Sequence, residues 1–225
     1  MQKLTHSYYC GTSSTQIIYE TIGAYFDGIC EAFPENDALV VRHQGIRWSY
    51  RELQAKVDAI AAGLIALGIE PGDRVGIWGP NSAEWVVVQL ATAKIGAIMV
   101  CINPAYRLYE LEYALNKVEC KAVVSAEAFK SSDYLSMLNE LASELRQCDP
   151  GRLVSEKLPN LTTVIRMGED ATPGMFNFDQ VLGMGGETET QRLAELQTIL
   201  KPDDPINIQF TSGTTGNPKG ATLTH

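Results

Sequence analysis

A ten-residue run near the end of the chain combines hydroxyl groups, glycines and one lysine at a spacing that suits a bound polyphosphate. Residues 211–220 read Thr-Ser-Gly-Thr-Thr-Gly-Asn-Pro-Lys-Gly. Glycines allow tight turns and bring backbone N–H groups close to anionic oxygens. The hydroxyl groups add donors, and Lys219 adds a mobile positive charge beside the stiff Pro218. The sequence therefore predicts a phosphate-binding loop with these candidate residues: Thr211, Ser212, Gly213, Thr214, Thr215, Gly216, Lys219 and Gly220.

The run is not a Walker A loop. Counted from Gly213, Pro218 stands where that pattern needs its second glycine. The apolar stretch 206–210 precedes the run and favours a strand, and residues 221–225 favour a second strand over a helix. We therefore expect a strand–loop–strand element.

The elements that must position this loop alternate along the chain. Apolar runs predict strands at 74–78, 97–102, 121–125 and 162–167, and amphipathic patterns predict helices at 83–95, 109–118, 132–145 and 190–200. Such alternation is typical of an α/β fold with a mostly parallel sheet covered by helices. The stretch 168–186 has no firm assignment beyond a short segment at 178–182.

Upstream of this alternation, the sequence predicts a helix, a hairpin and a second helix. The first helix covers 21–33 and ends at a proline. Residues 38–43 and 46–49 predict hairpin strands joined by a two-residue turn at Gln44-Gly45. Ser49 and Glu52 have the spacing of a capping box, which opens a helix that Gly68 closes.

Composition narrows the class of protein. The 225 residues carry a formal net charge of −9 without a basic cluster, which argues against a nucleic-acid partner. Five cysteines without a C-x-x-C pair indicate free thiols in a reducing compartment, and three scattered histidines predict no metal site. No apolar run is long enough for a membrane span, and the N-terminus resembles neither a secretory signal nor a mitochondrial presequence. We expect a cytoplasmic location.

Residues 211–220 match every position of the phosphate-binding signature [ST]-[ST]-G-[ST]-[ST]-G-x-P-K-G. In this the chain resembles the adenylate-forming (AMP-binding) enzymes, which include acyl-CoA synthetases, firefly luciferase and peptide-synthetase adenylation domains. Residues 78–85, 103–113 and 204–220 look like the N-terminal half of fatty-acyl-CoA ligases, medium-chain enzymes and their bacterial relatives in particular. The resemblance covers about 21–225.

This resemblance implies an acid–thiol ligase that activates a medium- or long-chain fatty acid. A carboxylate would attack the α-phosphate of Mg-ATP to give acyl-AMP and pyrophosphate, and the thiol of coenzyme A would then displace AMP. Lys219 would be the catalytic counter-charge on the phosphates, with Mg²⁺ implied by the family. The polar residues at the start of the chain predict a loose arm at 1–20. The resemblance implies that 21–225 are an incomplete N-terminal domain that is inactive alone. Peripheral membrane contact and oligomeric state stay open.

Three other functions remain as alternatives. A short non-catalytic product that binds nucleotide is one, and a coumarate-type ligase or a peptide-synthetase adenylation domain are the others. A dinucleotide-binding dehydrogenase is excluded because no G-x-G-x-x-G follows an early strand.

Several residues outside the loop also have chemically useful types. Trp48, Trp78 and Trp85 are interpreted as core packing rather than an acyl tunnel. Cys101 and Cys120 are interpreted as structural thiols rather than nucleophiles.

Overall fold

The computed structural model describes residues 14–15, 18–211 and 217–225. A seven-stranded sheet forms its centre, in the order β11-β10-β4-β3-β5-β8-β9. Its strands are β3 (Arg74–Trp78), β4 (Ile98–Ile102), β5 (Ala122–Ser125), β8 (Thr163–Arg166), β9 (Phe176–Asn177), β10 (Pro205–Thr211) and β11 (Lys219–Thr224). Every neighbouring pair is parallel except β10 with β11. This confirms the predicted α/β class with a mostly parallel sheet.

Two small antiparallel pairs lie outside this sheet. They are β1 (Asp37–Val41) with β2 (Ile46–Ser49), and β6 (Ala128–Phe129) with β7 (Ser132–Asp133).

Helices cover both faces of the sheet. They are α1 (Ile22–Ala32), α2 (Tyr50–Ala66), α3 (Ala83–Ile95), α4 (Leu108–Lys117), α5 (Tyr134–Leu141), α6 (Phe178–Leu182) and α7 (Glu187–Ile199). One core cluster joins α1, α2, α3, α6 and α7 to one face, and a second joins α4 and α5 to the other. Alternate side chains of each central strand enter opposite clusters, as Val75 and Trp78 of β3 show. Both faces are apolar because both are covered.

Local signals in the sequence set several helix ends. Ser49 accepts from the Glu52 N–H while the Glu52 carboxylate accepts from the Ser49 N–H, which confirms the predicted capping box. At the start of α3 the Ser82 hydroxyl accepts from the Trp85 N–H, without a reciprocal bond. At the other end of α3, Gly96 takes a left-handed conformation with φ 73°, the usual C-terminal stop.

Two predictions were wrong in detail. The first hairpin does not turn over two residues, because Arg42–Gln44 form a 3-10 turn before Gly45 at φ 67°. The helix predicted at 132–145 is shorter, since residues 132–133 pair with β6 and α5 stops at Leu141. Ala142 then leaves helical geometry and Ser143–Arg146 form a separate 3-10 turn.

Candidate polyphosphate site

The hairpin of β10 and β11 forms the stem of the predicted phosphate loop. In its antiparallel register Thr211 lies opposite Lys219, and the Thr211 hydroxyl donates to the Lys219 carbonyl at 3.4 Å. The strand–loop–strand interpretation is therefore right for both stems. Five of the predicted site residues lie outside the described residues: Ser212, Gly213, Thr214, Thr215 and Gly216.

The loop leaves the sheet at the carboxyl ends of its parallel strands. β10 runs parallel to β4 with Gln209 beside Cys101, so Thr211 lies near the end of β4 and the turn at Asn103-Pro104. Open α/β sheets bind their ligands at this edge, because loops there diverge and leave a crevice. The loop thus begins where an α/β fold offers space for a ligand.

Lys219 is placed so that its charge is available. Its side chain is exposed, and it forms no ion pair within the described parts of the chain. An unpaired ammonium group on a flexible stem can approach phosphate oxygens without first breaking another contact. The other described candidates, Thr211 and Gly220, lie beside it on the same hairpin.

Gly220 allows a close approach between the two strands. A Cβ atom at this position would lie 3.0 Å from Cγ2 of Ile208 on β10 and 3.8 Å from Phe210. A side chain here would push Ile208 aside, and Ile208 is part of the core beside α4. We infer that glycine keeps the stem narrow next to Lys219.

A polar cluster on β4 and β10 holds the first strand of the stem. The Gln209 amide donates to the Asn207 carbonyl oxygen at 2.8 Å and contacts the Cys101 sulfur at 3.0 Å. Burial raises the pKa of the Cys101 thiol, and the contacts from Asn207 and Gln209 offset this only in part. Cys101 therefore stays a protonated thiol that packs between polar neighbours.

The second strand of the stem has an anchor that the sequence did not reveal. The Tyr113 hydroxyl on α4 donates to the Pro218 carbonyl at 3.1 Å, across a separation of 105 residues. No local pattern connects these two positions, so periodicity and motif spacing could not have found the contact.

Trp78 supports the turn that follows β4. It is fully buried, its indole N–H donates to the Asn103 carbonyl at 3.2 Å, and its ring stacks on Tyr134 with centroids 3.8 Å apart. Trp48 and Trp85 pack, half-buried, against the core cluster on the opposite face. All three tryptophans thus have packing roles.

The chain belongs to the AMP-binding enzyme family, whose model matches residues 26–225. Among curated proteins it is 47% identical over 222 residues to the mitochondrial medium-chain acyl-CoA ligase ACSF2 of Rattus norvegicus, covering 97% of this chain and 36% of that protein. It is 38% identical to the putative acyl-CoA synthetase YngI of Bacillus subtilis, over 93% of this chain and 38% of that protein. The chain thus spans just over a third of the length of these relatives.

Solved structures agree with this assignment. The inhibitor-bound N-terminal domain of FACL13 from Mycobacterium tuberculosis aligns with a TM-score of 0.72 at 26% identity, over 92% of this chain and 44% of that one. An anthranilate CoA ligase bound to anthranoyl-AMP has the same fold, with a TM-score of 0.73 at 21% identity over 93% of this chain and 35% of that one. None of the helices in the described residues is long and apolar enough to cross a bilayer.

Proposed function

We propose that the protein carrying this chain is an ATP-dependent, AMP-forming acid–thiol ligase that converts a medium- or long-chain fatty acid to its acyl-CoA. The observation that carries the proposal is the hairpin with an unpaired Lys219 at the carboxyl edge of the sheet, in a chain of the AMP-binding family. The named activity of the acyl-CoA ligase relatives supports the same chemistry. In this proposal residues 21–225 are one incomplete N-terminal domain and residues 1–20 a loose arm.

The reaction would have two steps. A carboxylate oxygen of the fatty acid attacks the α-phosphorus of ATP, a P–O bond forms, and the bond to the β-phosphate oxygen breaks to release pyrophosphate. The thiol of coenzyme A then loses its proton as its sulfur attacks the acyl carbonyl, a C–S bond forms, and the acyl C–O bond breaks so that AMP leaves with the former carboxylate oxygen. The first step is a displacement at phosphorus, so catalysis depends mainly on positioning and on charge stabilisation.

In this proposal the hairpin supplies charge and donors at the phosphates. Lys219 is the counter-charge on the β- and γ-phosphates, and residues 211–216 and Gly220 would serve as backbone and hydroxyl donors to them. No group of three or more His, Cys, Asp or Glu able to hold a metal ion occurs in the described residues. Mg²⁺ at a nucleotide site is held mainly by phosphate oxygens and water, with one or two carboxylates, and we assign the described residues no step that involves the metal.

Replacement of the loop lysine tests the role assigned to it. In the full-length protein we expect Lys219→Ala to slow fatty-acid-dependent ATP–pyrophosphate exchange about 10- to 150-fold, because one charge-assisted contact contributes roughly 1.5–3 kcal/mol. Lys201→Ala, which removes an exposed lysine before β10, is the matched control and should leave the rate unchanged. Equal rates in the two variants would remove Lys219 from the phosphate site.

A panel of carboxylates separates the remaining alternatives. Exchange that rises with medium or long fatty acids supports the proposal, whereas a preference for coumarate or an amino acid would move the protein to another branch of the superfamily. ATP binding without exchange for any carboxylate would support a non-catalytic nucleotide-binding product.

The cytoplasmic location expected from the sequence stays a prediction. The ACSF2 relatives are named as mitochondrial proteins. Imaging of the full-length protein with a C-terminal fluorescent tag would decide between the two compartments.

A further inference from the structure

The strand that begins with Lys219 lies at the edge of the sheet, and β10 is its one partner among the described strands. β11 is the outermost strand of the described sheet, it pairs with β10, and all six of its residues are exposed. Burial therefore fixes its position only weakly. A contact that joins its first residues to an element other than β10 therefore helps to set where the lysine points.

Tyr113 makes such a contact. Its ring is half-buried on α4, and its hydroxyl donates to the Pro218 carbonyl at 3.1 Å. That carbonyl belongs to the same planar peptide unit as the Lys219 N–H, and the ring of Pro218 fixes the torsion that precedes it. The bond to this oxygen therefore restrains the orientation of the peptide plane that leads into Lys219.

We propose that Tyr113 is a positioning residue, which acts through the Pro218 carbonyl to direct Lys219 toward the polyphosphate of ATP. This inference rests on the proposed function and adds to it a residue from a different element. A purely structural role, in which Tyr113 only packs α4 against the sheet, predicts lower stability without a selective effect on ATP.

The test compares two tyrosines of the same helix in the full-length protein. Tyr113→Phe removes one hydroxyl and keeps the ring, and we expect kcat/KM for Mg-ATP to fall about 2- to 10-fold, as for the loss of one neutral hydrogen bond. KM for the fatty acid and the thermal midpoint should stay near those of the wild type. Tyr109→Phe is the control, since Tyr109 lies one turn earlier, is 69% exposed, and its hydroxyl has no hydrogen bond to a described residue.

A double-mutant cycle separates positioning from general destabilisation. If Tyr113 acts through Lys219, Tyr113→Phe has no further effect on kcat/KM for ATP in a Lys219→Ala background. Additive losses would show that the tyrosine acts elsewhere and would overturn the inference.

A second variant changes the Pro218 side of the same contact. It keeps the inference testable if Tyr113→Phe does not fold. Pro218→Ala retains the acceptor carbonyl and α4 but frees the backbone torsion, so kcat/KM for ATP should fall without a change in KM for the fatty acid. Unchanged ATP kinetics in Pro218→Ala, or in a folded Tyr113→Phe protein, would overturn the inference and leave the proposed function standing. A wild-type protein without fatty-acid-dependent exchange would overturn the proposed function, and this inference with it.

Discussion

Lys94 is a charged side chain that the fold buries almost completely, with 2% of it exposed. Its ammonium group lies 2.7 Å from Oδ1 of Asp27 and also contacts the carboxylate of Asp58. Asp27 accepts a further hydrogen bond from the Gln54 amide. The three charged residues lie on α3, α1 and α2, so one cation holds three helices together.

Loss of this cation should destabilise the fold strongly. Lys94→Met leaves two neighbouring carboxylates without a counter-charge, and removing one member of a buried pair typically costs roughly 3–5 kcal/mol. Because Asp27 and Asp58 keep part of their hydration, we expect a loss of about 2–3 kcal/mol in the free energy of unfolding, measured by urea denaturation.

Lys121→Met is the matched control, since its ammonium group pairs with Asp73 at 2.6 Å while the lysine side chain stays 33% exposed. A pair of this kind contributes about 1 kcal/mol or less. A loss for Lys94→Met no larger than that for Lys121→Met would contradict the assigned role.

At the scale of elements, two glycines show how close helix packing decides which residues fit. A Cβ on Gly63 of α2 would lie 2.1 Å from the backbone oxygen of Val181 on α6, and that oxygen cannot move aside. A Cβ on Gly28 of α1 would meet no atom within 4 Å. Both glycines lie inside helices, but only at Gly63 does a neighbouring atom exclude a side chain.

The same substitution at these two positions should therefore have opposite effects. Gly63→Ala is expected to lower the free energy of unfolding by about 2–3 kcal/mol, because overpacking forces α2 and α6 apart. Gly28→Ala should raise it by about 0.5–1 kcal/mol, since alanine loses less conformational entropy in a helix. Thermal and urea unfolding of the two variants measure both shifts, and a stabilised Gly63→Ala protein would contradict the α2–α6 contact.

The helices and strands were predictable where local chemistry decides them. Ser49 with Glu52, Ser82 and Gly96 fix helix ends through bonds that span three or four residues, so the sequence alone contained the signal. The start of α5 did not follow from its pattern, because residues 132–133 are drawn into a strand pair with Ala128–Phe129. Hydrophobic periodicity does not report such a competing partner.

At the scale of the whole molecule, the two stem strands of the candidate site were predictable, but their supports were not. Strand-forming residues on both sides of 212–216 indicated the stems, and the assignment of 211–220 to phosphate binding stays a prediction. Tyr113 and Cys101 contact the stems from more than 100 positions away, at separations of 105 and 108 residues. Contacts of that range follow from the strand order, which one sequence does not determine.

Cys120 links the stability of the whole fold to alkaline pH. The thiol is fully buried between Arg74 and Ala122, and burial raises its pKa from 9.0 to about 12. The folded state then holds its proton more tightly than the unfolded state. The contribution of this thiol to the free energy of unfolding is fully present below pH 9 and is lost as the pH rises toward 12.

We expect the wild-type protein to lose roughly 1–2 kcal/mol more than Cys120→Ala between pH 9 and pH 10.5, as measured by urea denaturation. Other groups that ionise in this range are common to both proteins and cancel in the comparison. If the free energies of unfolding of the two proteins depended on pH in the same way, ionisation of the thiol would not destabilise the fold, and the prediction would be wrong.

The pairing of β10 with β4 also determines the order in which the protein can be assembled on the ribosome. β3, β4, β5 and β8 are synthesised well before β10, and the last of them ends at Arg166. Because long-range strand pairs form slowly, we expect β10 to join the sheet only after its central strands have paired. Until then the outer edge of β4 has open backbone groups that invite pairing with another chain. The strand that carries the loop is also the one that protects this edge.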